Sequence, residues 1–202
     1  MFKFRFFTLS FLPFFLFFSQ VRVELTIHGV PVTLNQWYKQ SFGDSVYMNE
    51  LKFYMVLPND SLVLVDASEQ ASLHLPYFPH DDETVLLRIG MDSVMNTSGR
   101  LDGPYDPLLG MYWAWNTGYT QLKCKGIVCR DGKQYPFEYH LGGYRFPYVT
   151  SIQTWVRFKE GQTLFIHLEH FLSNLPVKTQ PKIMLPGALA YQLFVKFTEG
   201  FQ

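Results

Sequence analysis

Charge is scarce in this chain, and what there is cancels. Only 17% of its 202 residues are charged, with 17 Lys and Arg against 17 Asp and Glu. A nucleic-acid binder needs a basic face to displace counterions, and this balance argues against that class. Cysteine is nearly absent: there are only Cys124 and Cys129, whose spacing is not the C-x-x-C of a zinc or redox motif. The catalytic signatures are missing as well. No G-x-S-x-G, P-loop, HExxH or GxGxxG occurs, and no nucleophile–base pair stands out, so the chain is not expected to be an enzyme. Neither a tandem repeat nor an apolar run long enough to span a bilayer is present.

Aromatic residues are plentiful. Twenty Phe and twelve Tyr suit pleated, half-buried surfaces better than helices. Met1 to Gln20 carries Lys3 and Arg5 and then an apolar run from Phe6 to Phe18, broken by Pro13. That order of charge and apolarity is that of a secretory signal peptide, although no A-x-A-like cleavage site follows. The expected product is a periplasmic, cell-surface or extracellular protein with no stable membrane span once residues 1–20 are removed. Residues 21–202 are long enough to bury one core unaided.

Beyond the leader, short apolar runs alternate with turns. Val21–Thr26 alternates, Leu51–Leu57 is stopped by Pro58-Asn59-Asp60, and Leu62–Val65 is a short buried run. Glu83–Ile89 resumes after a polar connector, and the C-terminal third offers Tyr148–Phe158, Thr163–Phe171 and Ala190–Phe197 as further strands. This spacing predicts an all-β chain: a single β-sandwich or barrel-like domain of antiparallel-rich sheets.

The most informative stretch runs from Leu86 to Tyr144. A strand to Ile89 leads into a loop of about twenty residues with turn signals at Asn96, Gly99, Asp102-Gly103-Pro104 and Asp106-Pro107. Met111–Lys123 is expected as a strand, Arg130-Asp131-Gly132-Lys133 as a turn, and Phe137–Leu141 as the returning strand. A loop that long is usually functional. Two close cysteines in an exported chain are expected to pair, so a Cys124–Cys129 disulfide is predicted if the chain bends between them. A strand running straight through Cys129 would hold them about 16 Å apart and forbid the bond.

The residues GMD…N.SG…G..DP..GMYWAWNTGY…K…G…FEYHLGGY resemble the signature of the MbnP-like family, exported β-proteins named after a copper-binding protein encoded beside methanobactin genes. The resemblance implies a copper site built from histidines and a tryptophan oxidised to kynurenine. It also implies a partner, a di-haem cytochrome c peroxidase-like protein that performs the oxidation. Trp113 and Trp115 are then the candidates for the modified ring, and His140 is the candidate metal ligand. One departure matters. Members with the fuller signature have a histidine directly after the loop asparagine, whereas Asn96 is followed here by Thr97.

Each of these residues also has a plainer reading. Two apart on a strand, Trp113 and Trp115 would share one face and pack as core aromatics. His140 shares a face with Glu138 and could be structural, bonded to a loop carbonyl. Imidazole is a good copper ligand and indole is not, so one histidine needs help. The remaining histidines, His28, His74, His80, His167 and His170, lie off the motif. His167 and His170 would face opposite sides of a strand. A metal-free binding module for a protein or small ligand is the alternative function.

Overall fold

In the computed structural model, residues 20–40, 43–77, 79, 82–115, 118–158 and 163–202 are described. Residues 1–19 of the expected signal peptide (1–20) and the histidine at 80 lie outside them. The strands are β1 (Val21–Ile27), β2 (Val30–Pro31), β3 (Trp37–Lys39), β4 (Ser45–Val56), β5 (Leu62–Asp66), β6 (His74–Leu75) and β7 (Thr84–Ile89). There follow a single helical turn α1 (Ser93–Asn96), β8 (Tyr112–Trp113), β9 (Gly118–Arg130), β10 (Lys133–Gly142), β11 (Ile152–Arg157) and β12 (Thr163–His167). The chain closes with α2 (Glu169–Ser173), β13 (Lys182–Ile183) and α3 (Ala188–Thr198). The fold is all-β in character, a curled sheet forming a half-barrel, as the strand spacing predicts.

Strand β4 organises the larger sheet, whose order is β11-β7-β4-β9-β10-β13. Lys52 pairs with Asp66 on one side and Lys123 on the other, and Met55 likewise with Val63 and Ile89. One edge of β4 therefore carries β9 and then β7, and the opposite edge carries β5. A smaller sheet, β12-β1-β2 with β6 also on β1, includes the parallel pair β1/β12. Between the sheets lies the main core, in which Phe53 meets Phe197 and Phe201 at centroid distances of 5.1 and 5.9 Å.

Two expectations fail here for identifiable reasons. Ala190–Phe197 is part of a helix and not a strand. Its buried residues Ala190, Leu193, Phe194 and Phe197 recur at three and four, the helical period, and they plug the core. Cys124 and Cys129 form no disulfide. Both sit on β9, which runs unbroken from Gly118 to Arg130, so they lie about 16 Å apart on opposite faces. The expected turn between β9 and β10 is present: Arg130 pairs with Lys133, and Asp131 and Gly132 take the positive φ of a two-residue hairpin.

Candidate functional site

The long loop is not structureless. Met91, Tyr105 and Met111 descend onto the outer face of the large sheet and meet Tyr54 of β4 and Tyr119 of β9, forming a second, smaller core. Tyr54 donates its hydroxyl to the carbonyl of Pro104 at 2.7 Å. The Tyr119 hydroxyl lies 2.8 Å from the carbonyls of Arg100 and Tyr105, which share its single proton. Burial, reinforced by neighbouring rings, raises the pKa of both phenols, which keeps them as donors. Gln121 accepts from the backbone N–H of Met91 at 2.7 Å, and buried Asn96 accepts from that of Tyr119 at 3.3 Å. The loop's acidic residues are used locally: Asp92 caps α1 and pairs with Arg88, and Asp106 caps the 3-10 turn Pro107–Leu109.

The tryptophans do not share a strand face. Trp113 ends the short strand β8 and is 4% exposed, whereas Trp115 lies in the following turn and is 58% exposed. Their rings remain neighbours, with centroids 5.5 Å apart. The indole of Trp113 lies on Gly142 of β10, where a Cβ would stand 2.8 Å from its Cη2 and Cζ3 atoms. Only a glycine admits that approach.

His140 lies two residues before Gly142, on the same face by strand alternation. The two-residue hairpin at Asp131-Gly132 sets its register. Counted back from the Arg130–Lys133 pair its partner is Lys123, and the irregularity at Leu141/Gly142 shifts the register only beyond it, bringing Gly142 to Thr120. Trp113 and His140 therefore flank the same strand β9 at different heights and do not sit on adjacent strands.

Around His140 runs a ladder of charge on the sheet's outer face. Lys52 pairs with Asp66, Glu50 bridges Lys123 and Lys125, and Glu138 bridges Lys125 and Lys182. These contacts, the Lys125 bond first, hold the Glu138 carboxyl down at about 2. His140 is 8% exposed, and burial followed by the charge of Lys123 lowers its pKa to about 4. The imidazole is thus neutral at pH 7. Its Nε2 stands 3.3 Å from Glu138 Oε1 but makes no hydrogen bond there.

Three buried side-chain nitrogens along this seam lack partners: Asn96 Nδ2, Trp113 Nε1 and His140 Nε2. Such groups are uncommon in folded proteins and call for water, an ion or a ligand. A neutral imidazole with a free nitrogen fits one copper position. It does not make a complete site: among the described residues no three His, Cys, Asp or Glu side chains converge. His167 bonds to Thr26, His170 to Glu199 and His74 to the carbonyl of Gln70.

Beyond Trp115 the seam opens into a cleft of ≈ 370 Å³, walled by Trp115, Tyr144, Phe146 and Tyr148 with Arg145 and Pro186. The sequence reading missed this cleft. Its aromatic run Tyr144-Arg145-Phe146-Pro147-Tyr148 was the available signal.

A sequence profile of the MbnP family matches residues 18–185. The chain belongs to the MbnP family. Its fold is similar to that of MbnP from Methylosinus trichosporium, with a TM-score of 0.54 at 13% identity, covering 85% of this chain and 82% of that one. No curated protein sequence matches. Within the MbnP frame, the profile takes in the whole loop, both tryptophans and His140.

Proposed function

We propose that this MbnP-family chain is an exported copper-handling protein whose working site is the seam of Trp113, Trp115 and His140. The observation that carries the reading is His140: a buried, neutral imidazole with an unpartnered Nε2, on the family's own motif. Four lysines against three carboxylates in the surrounding ladder favour a singly charged, soft cuprous ion over a divalent one. Copper supplies the coordination chemistry when bound; the chain supplies the imidazole and the dry setting.

One imidazole is too few, so a second donor has to come from elsewhere. In this reading Trp113, packed on Gly142 two residues along β10 from His140, becomes that donor once oxidised to kynurenine by a di-haem cytochrome c peroxidase-like partner. Exposed Trp115, 5.5 Å away, gives the partner an aromatic contact to the buried ring. The test is copper stoichiometry and intact mass of the mature protein, before and after treatment with a di-haem peroxidase and hydrogen peroxide. The reading expects copper to bind more tightly after the treatment, together with a mass change at one tryptophan.

A second reading is favoured by the aromatic cleft: a metal-free binding module. It takes precedence if the mature chain binds no copper in either state.

A further inference from the structure

The cleft beside Trp115 holds a cation, Arg145, that has no counter-ion among the described residues. Arg145 is exposed, its guanidinium lies 5.1 Å over the ring centroid of Tyr144, and Nη2 donates to the Tyr144 hydroxyl at 3.0 Å. Among the described residues no carboxylate pairs with it or with Arg22, whereas Arg88, Arg100, Arg130 and Arg157 are paired. Around it stand large aromatic faces open to water: Phe146 at 92%, Trp115 at 58% and Tyr148 at 38% exposure. Two unpartnered buried donors lie behind the walls. Asn96 and Tyr144 both approach Gly118 within 3.1 Å of its Cβ position, and Trp113 packs against Trp115.

We propose that this cleft binds a small planar aromatic molecule bearing a carboxylate, its ring against Trp115 and its carboxylate on Arg145. The cleft volume of ≈ 370 Å³ falls in the small-molecule range of about 300–1,000 Å³. Aromatic walls reward a flat ring, and a guanidinium fork held over a tyrosine is preset for a carboxylate. This inference deepens the metal-free reading and shares only Trp115 with the copper one, since neither His140 nor a metal enters it.

The test uses the full mature chain, treated with a chelator, and calorimetric titration with indole-3-acetate and with its neutral isostere indole-3-acetamide. Wild type should bind the acetate about three- to fivefold more tightly than the amide, the range of an exposed ion pair. Arg145→Gln should bind the two equally, and Trp115→Ala should weaken both about tenfold. Both side chains are exposed, so the fold survives either change. Wild type binding neither probe at millimolar concentration, or binding both equally, overturns the proposal. So does an Arg145→Gln variant that keeps the preference.

Discussion

The ring of Trp113 rests on the backbone of Gly142, so close that a methyl group there would meet two ring carbons at 2.8 Å and the Tyr119 carbonyl at the same distance. Gly142→Ala should therefore lift the indole off β10. The expected cost is about 1–3 kcal/mol, the usual range for overpacking. Denaturant melts should show the loss, and tryptophan emission should move to the red as Trp113 gains water.

The loop's anchor should be Tyr119. Removing its hydroxyl in Tyr119→Phe leaves the carbonyls of Arg100 and Tyr105 without that donor. A loss of about 1–2 kcal/mol is expected. Proteolysis within residues 97–110 should quicken in the variant while the sheet stays resistant.

His140 should leave a mark on acid stability. Its folded pKa of about 4 lies below the unfolded value near 6.5, so between those limits the unfolded chain binds the extra proton. The stabilisation is complete above about pH 6.5 and is lost as pH falls towards 4. After allowance for screening, the loss is on the order of 1–2 kcal/mol. Glu138, held at about 2, acts only in the lower window from about 4.5 down to 2. Wild type minus His140→Gln, followed by chemical denaturation at each pH, should isolate the upper window. A flat difference would contradict the assignment.

Thiol counting should find two free cysteines in the unfolded protein. In the native state Cys129, partly exposed, should react with a thiol reagent, whereas Cys124, fully buried and with its thiol pKa raised by burial, should not. A count of zero after denaturation would restore the disulfide.

Period-two patterning made the strands around β4, β9 and β10 legible, and Asp131-Gly132 marked their hairpin. Spacing could not place Trp115, because the strand expected to carry both tryptophans breaks into β8 and a turn. The register of His140 opposite Lys123 follows from the Asp131-Gly132 hairpin, whereas the irregularity beyond Leu141, which brings Gly142 to Thr120, has no signal in Phe137–Leu141. Ala190–Phe197 misled because a short, mostly apolar segment suits a strand or a helix, although Gln192 and Lys196 leave Ala190, Leu193, Phe194 and Phe197 at the helical period against Phe53. The loop's order came from hydroxyl bonds of Tyr54 and Tyr119, long-range contacts that no local window contains.

The copper reading stands on His140. Imidazole must be neutral to coordinate, and here it stays neutral until about pH 4, so affinity should be nearly constant from pH 7 down to about 5. The direct measurement is a cuprous-ion competition titration of the peroxidase-treated mature chain and of His140→Ala treated the same way. One copper per wild-type chain is expected, with at least about a tenfold loss of affinity in the variant, the least that losing even an outer-shell partner typically costs. Equal affinity in the two proteins, or no copper bound by wild type, would contradict it.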